Sequence, residues 1–422
     1  MLTRRRLLAA GTATLGALAR PVHARRAATT ARALILGGGF AGATAARYLA
    51  RWAPDVDITL ITSAAPYWTC PFSNTALAGL RSVDALEVDY RALEADARIH
   101  LVRGHIRSLD PVTRRATLTD GRSFGADRIV VAPGIEVHGG AIEGWSERAT
   151  QKFPHAWEAG PATRALFDRL QAVPDGGLVL ISAPENPYRC PPGPYERASL
   201  MAWWLATHRP RARLLIADAK DRFTKDALFK AEWTKRYPNL QWLGRSDGGA
   251  VRAIDPDRGT VHGDFDDWSP DLACIVPPQR AALLARRADL DGGRDWCPVA
   301  GPAFESTRYA GVHVIGDAAI ANPMPKSAFA ANSQGKTVAA ALAAIFSGGT
   351  PPAPLLMNTC YSYVAPDAAI SIAASYTVRE DRIVTIAGSA GVSTANASED
   401  VRTQEGAHAA AWYASVVTDA FG

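Results

Sequence analysis

Three cysteines stand where a thiol could do more than fill space. Cys190 lies in Ala183-Pro184-Glu185-Asn186-Pro187-Tyr188-Arg189-Cys190-Pro191-Pro192-Gly193-Pro194, a stiff loop running into an apolar helical stretch. A thiol just before a helix is placed for a lowered pKa, and the thiolate is the form that attacks sulfur. Cys70 follows Tyr67-Trp68-Thr69 and precedes Pro71, while Cys360 sits in Asn358-Thr359-Cys360-Tyr361-Ser362. Glu196, six residues after Cys190, reads on its own as a solvated first-turn carboxylate favoured by the helix dipole. Cys274, inside Leu272-Ala273-Cys274-Ile275-Val276, fits a core strand, and Cys297 is also read as a small buried hydrophobe. The cysteines are too widely spaced for a zinc cluster, and no C-x-x-C-H is present for haem attachment.

A reactive thiol needs an electron sink, and the start of the chain offers one. Ala33-Leu34-Ile35-Leu36 is a short apolar strand that breaks into Gly37-Gly38-Gly39-Phe40-Ala41-Gly42 and then an alanine-rich helix. In Gly37-x-Gly39-x-x-Gly42 the first glycine makes the turn, the second admits a pyrophosphate and the third lets helix pack on strand. The helix N-terminus then faces the phosphates. The end of the second strand reads Ile61-Thr62-Ser63, with a hydroxyl where a ribose-binding carboxylate is expected. Val130-Val131-Ala132-Pro133-Gly134 and Val314-Ile315-Gly316-Asp317 resemble the two later signatures of two-dinucleotide flavoproteins of the glutathione-reductase type. In that family the second-signature Asp bonds the ribityl chain, which favours FAD. Taken alone, Asp317 would read as a helix N-cap.

A second α/β unit begins at Gly177, with a strand over 178–182, a helix over 195–207, a strand over 213–217 and a helix over 224–236. Its first turn has four prolines among residues 187–194, which removes the amides that would cradle a second pyrophosphate. This half is therefore expected not to bind NAD(P).

These units imply an α/β, glutathione-reductase-like flavoprotein with two dinucleotide-type domains. The FAD domain is expected over 31–145 plus 300–347, a degenerate NAD-type domain over 146–299, and a C-terminal α+β interface domain over 348–422. Residues 1–24 read as a twin-arginine export signal: Arg4-Arg5-Arg6, an apolar stretch from Leu7 to Ala19, then Val22-His23-Ala24. Without them, 42 basic residues face 41 acidic ones, so the charge gives no reason to expect nucleic acid. No later run is apolar and long enough to span a bilayer, and a periplasmic location is expected.

The runs Tyr67 to Asn74, Tyr188 to Ala198, Asn322-Pro323-Met324-Pro325-Lys326-Ser327, Asn358 to Ser362 and Trp412 to Gly422 together resemble the flavoprotein subunit of flavocytochrome c sulfide dehydrogenase. The resemblance implies FAD held covalently by Cys70, a redox-active Cys190–Cys360 disulfide beside the flavin, and Glu196 as proton acceptor. A purely structural disulfide is the bland reading of that pair. The implied FAD contacts are Gly37, Gly39, Phe40, Ala41, Gly42, Ile106, Gly134, Gly316, Asp317, Lys326 and Trp412. The implied reaction is oxidation of sulfide, with electrons leaving one at a time to haem on a c-type cytochrome subunit. A sulfide:quinone oxidoreductase shares this logic but works on a membrane, and Thr403 to Gly422 shows no basic amphipathic face. An NAD(P)H-dependent disulfide reductase lacks support in the second turn, and a non-catalytic flavin-binding partner would have little use for three such cysteines.

Overall fold

The computed structural model describes residues 30–64, 66–140 and 142–422. The export-signal reading over 1–24 lies outside the described residues.

The apolar run Arg32–Leu36 becomes a central strand, parallel to Asp57–Thr62 on one side and Arg128–Val131 on the other. Ile99–Arg103 and Val312–Val314 extend the parallel order at either side. Its last four residues are fully buried, which is why the strand reads as a continuous apolar run rather than an alternation. Three short strands between Cys297 and Ile320 complete an eight-stranded sheet. The helices Phe40–Trp52 and Ala328–Phe346 pack against each other over this sheet.

A second, four-stranded parallel sheet runs Leu240–Leu243, Arg213–Asp218, Leu178–Ala183, Leu272–Ile275. Cys274 is fully buried in the last of these, the core position expected for it. The third sheet pairs Leu356–Ala365 with Ala368–Arg379, and the latter with Arg382–Thr385, all antiparallel. The helix Glu399–Phe421 packs on that sheet and on Phe40–Trp52. Buried Arg402 fastens this helix, donating to Glu232 at 2.8 Å and to Glu405 at 2.9 Å.

Helix limits depart from the sequence reading where capping decides them. The helix expected from Ser333 begins at Ala328, because the Ser327 hydroxyl accepts from the Ala330 amide at 3.1 Å. The helix expected from residue 224 begins at Asp226, because Lys225 is left-handed with φ 65°. The cysteine-bearing loop enters its helix at Gly193 rather than 195, with Pro194 in the first turn, where a missing amide costs no hydrogen bond.

Candidate active site

A cavity of about 640 Å³ opens beside the C-terminal ends of the first sheet's parallel strands. Gly37, Gly39, Phe40 and Ala41 line it from the first turn, Ile106 and Gly134 from the flanks, and Gly316 and Asp317 from the turn after Val312–Val314. Gly42 lies behind this wall: a Cβ there would stand 1.8 Å from the Gly37 carbonyl oxygen, and Gly37 itself has φ 108°. The turn is therefore closed to any larger residue at both ends. Thr62 also lines the cavity, and its hydroxyl accepts from the Ala64 amide at 3.2 Å. Tyr90, which sequence patterning does not single out, backs the loop by donating to the Gly38 carbonyl at 2.9 Å.

The residues present fit a dinucleotide. Asp317 Oδ1 and Trp412 Nε1 are buried polar atoms without a hydrogen-bond partner, both on residues of this cavity wall. Such orphans are costly unless a ligand satisfies them. Burial pushes the Asp317 carboxyl above its usual pKa, with Arg189 and Lys326 pulling the other way. Lys326 does not itself line the cavity. Its ammonium turns away to the carbonyls of Asp317 at 2.7 Å and Ala319 at 2.8 Å, so it fixes the turn that presents Asp317.

All three chemically interesting cysteines reach the same cavity. Cys70 enters between the two-residue strand Tyr67–Trp68 and the short helix Ser73–Leu77. Cys190 enters from its proline-rich loop and Cys360 from the middle of Leu356–Ala365. Cys190 holds a left-handed backbone, φ 58°, a strained conformation for a residue with a Cβ. Its amide donates to the Lys326 carbonyl at 2.8 Å, and a Cβ on Gly193 would come within 3.0 Å of its sulfur. The loop is thus pinned, and the following helix start is bare so that the sulfur has room.

One expectation needs correction here. The Cys190 thiol is not lowered in pKa: burial pushes it well above the usual range, and Cys360 and Glu196 nearby add to this against the pull of Arg189. Proximity to a helix start does not outweigh removal from water. Cys297 is fully buried, its thiol pushed up to about 12 mainly by burial.

Glu196 faces the cavity rather than bulk water. It accepts from Asn74 Nδ2 at 2.8 Å and from the Tyr363 amide at 2.8 Å, which ties it to the strand bearing Cys360. Burial raises its pKa despite those bonds. A second cavity, about 450 Å³, meets the first at Cys190, Ser327 and Cys360, and none of its lining residues is charged. Two basic residues that sequence reading passed over also belong to the site. Arg189 lines the first cavity, and Lys225 is buried behind Cys360, where it donates to Ser362 Oγ at 2.9 Å. For Arg189 the neighbouring cysteine was a signal; for Lys225, in an ordinary helical pattern, there was none.

Residues 163–277 match the family described as sulfide dehydrogenase (flavocytochrome c) flavoprotein chain, central. Residues 352–421 match flavocytochrome c sulphide dehydrogenase, flavin-binding, and residues 31–162 match pyridine nucleotide-disulphide oxidoreductase. The chain is 44% identical to the flavocytochrome c sulfide dehydrogenase flavoprotein chain of Chlorobaculum thiosulfatiphilum over 45 residues, 11% of this chain and 94% of that sequence. The chain belongs to this family.

The flavocytochrome c sulfide dehydrogenase flavoprotein family has related enzymes of similar build. The sulfide-quinone reductase of Aquifex aeolicus (strain VF5) is 26% identical over 245 residues, 53% of this chain and 52% of that protein. The solved structure of the sulfide:quinone oxidoreductase from Aquifex aeolicus superposes with a TM-score of 0.73 at 18% identity, covering 92% of each chain. The fold is that of an α/β FAD-dependent oxidoreductase. Among the described residues no helix is long and apolar enough to cross a membrane.

Proposed function

We propose that this flavoprotein oxidises hydrosulfide at the Cys190–Cys360 pair and delivers the electrons through FAD to a c-type cytochrome subunit. The observation that carries this reading is the meeting of both sulfurs and Glu196 in the wall of the cavity that carries the dinucleotide fingerprint. In the oxidised state the pair forms a disulfide. Hydrosulfide bonds to one sulfur, the sulfur–sulfur bond breaks, and the other sulfur leaves with the electron pair as thiolate. Glu196 takes the proton that hydrosulfide gives up on its way to sulfane sulfur. FAD, when bound, accepts the two electrons and releases them singly. Sulfane sulfur is neutral, and the charge-free second cavity gives it space to leave.

Cys70 is proposed to anchor FAD covalently, which would keep a cofactor in place where cytoplasmic reloading is out of reach. That benefit matters if the chain is exported, as residues 1–24 suggest. The proline-rich turn at residues 187–194 supports the proposal that NAD(P) is not a reductant. The likeness to sulfide-quinone reductase supports a second reading, in which a quinone accepts the electrons.

Anaerobic titration with sulfide, followed by the flavin spectrum, tests the central claim. Bleaching by sulfide in wild type, lost in C190S and in C360S with FAD retained, is expected. Wild-type bleaching in both single variants would make the pair structural and the proposal wrong.

A further inference from the structure

The cysteine pair is not electrostatically symmetric, and the source of the asymmetry is a lysine outside the cavity lining. Lys225 sits in a left-handed turn at the start of Asp226–Arg236 and is 9% exposed. Its ammonium donates to Ser362 Oγ at 2.9 Å and to the Ile370 carbonyl at 3.3 Å. Both partners are neutral, so Glu196 and Glu405 act on this buried charge only without direct contact, an expensive arrangement unless a closer charge appears. An ammonium has three donors, and these bonds use two.

The strand register says where such a charge would appear. Ser362 pairs across the hairpin with Ile370, and Cys360 pairs with Ile372. Residues two apart on a strand share a face at ~6.8 Å spacing, so Cys360 is the next side chain along the face that Lys225 grips. Glu196 holds the adjacent Tyr363 amide. The groups that face Lys225 are Cys360, Glu196 and Cys190, with Glu405 from the terminal helix beyond them, all acidic.

We propose that Lys225 is a positioning residue that decides which sulfur leaves: hydrosulfide bonds to Cys190, the sulfur–sulfur bond breaks, and Cys360 keeps the electron pair as a thiolate held by the Lys225 ammonium. The step consumes one hydrosulfide and one disulfide and yields one persulfide on Cys190 and one thiolate, with no further reactant. A sulfur whose thiol is the stronger acid leaves faster. On Cys360 the leading downward influence is Lys225. On Cys190 it is Arg189, and the opposing acids outweigh it. Lys225 makes no hydrogen bond to either sulfur; it acts through its field and through its hold on Ser362.

This inference rests on the disulfide reading above, and its test separates the two. The dithionite-reduced holoenzyme is alkylated with iodoacetamide across a pH series, and the Cys190 and Cys360 peptides are quantified by mass spectrometry. In wild type, Cys360 is expected to react with a midpoint at least one pH unit below Cys190. One equivalent of sulfide added to the oxidised enzyme, followed by trapping, should place the added sulfur on Cys190. In K225M the Cys360 midpoint should rise by a unit or more, with sulfide-dependent flavin reduction slowed ~10-fold, and K225R should restore both. A lower midpoint on Cys190, a persulfide on Cys360, or an unchanged Cys360 midpoint in K225M overturns the inference. The wild-type measurements decide it alone if K225M does not accumulate. Failure of sulfide to bleach the wild-type flavin would remove the proposed function while the alkylation order still reports on Lys225.

Discussion

Among single residues, burial governs the site's acid chemistry more than any one partner does. Glu196 receives two hydrogen bonds that favour its ionised form, yet its pKa stays above the ordinary glutamate range because the cavity removes it from water. A carboxyl with a raised folded pKa favours the fold while protonated, and that contribution is lost as pH rises through the folded pKa. For catalysis the sign is reversed, since only the carboxylate accepts a proton. Sulfide-dependent flavin reduction should therefore fall on acidification at a higher pH than an exposed glutamate would cause. The ratio of wild-type to E196Q rates cancels the ionisation of sulfide itself. We expect that ratio to be ~10²-fold at neutral pH, typical of a lost acid–base group, and to collapse toward one on the acid side. A pH-independent ratio would make Glu196 structural. Cys70 gives a second residue-level prediction: acid-precipitated protein should stay yellow and carry the mass of FAD on the Cys70 peptide, and C70A should release all its colour. The cysteines were legible because their types and neighbours are unusual, and Glu196 only through the family resemblance. Lys225 was not, because one lysine among helical residues looks like any solvated one, and only the hairpin brought from 130 or more residues away buries it.

The elements that carry the cofactor were legible because turn chemistry fixes them locally. Gly37 and Gly42 encode a turn that no larger residue fits, and the burial of the first parallel strands shows in unbroken apolar runs. G42A puts a methyl 1.8 Å from the Gly37 carbonyl, so the turn must open. Purified G42A should hold little FAD by absorbance, even if its secondary structure by circular dichroism is intact. Full FAD content would show that the helix can shift to make room. The C-terminal hairpin was much less legible, although it supplies Cys360. Its strands of 10 and 12 residues mix small and polar residues with half-covered faces, because one side lines cavities instead of a core. Its anchorage was invisible as well, since Arg402 meets Glu232 from 170 positions further along the chain. Removing one partner of a buried ion pair leaves the others uncompensated, so R402A should cost about 3–5 kcal/mol. Denaturant unfolding would measure it; a loss below about 1 kcal/mol would mean that water replaces the guanidinium.

At the scale of the whole molecule, the open question is where the electrons go after they reach the flavin. A flavin reduced by hydrosulfide holds two electrons, and this chain has no haem attachment motif to pass them along. Among the described residues no helix is apolar enough to cross a membrane, and the terminal helix Glu399–Phe421 spends its apolar residues on the third sheet and on Phe40–Trp52. A surface already used for internal packing is not free to bind a bilayer. The family's own description names a flavocytochrome c, which implies a cytochrome partner. Leu355 and Met357 are exposed on the third sheet and its approach, a few residues before Cys360 in the chain. Transfer between two fixed cofactors needs a lasting interface, which should bury more than ~1,000 Å². Purified from its native host, the flavoprotein should therefore come as a red complex whose haem is reduced by sulfide. L355D/M357D should release the cytochrome while leaving sulfide able to bleach the flavin of the isolated chain. A native protein recovered alone, reducing quinones but not cytochrome c, would instead give the quinone-dependent reading the stronger claim.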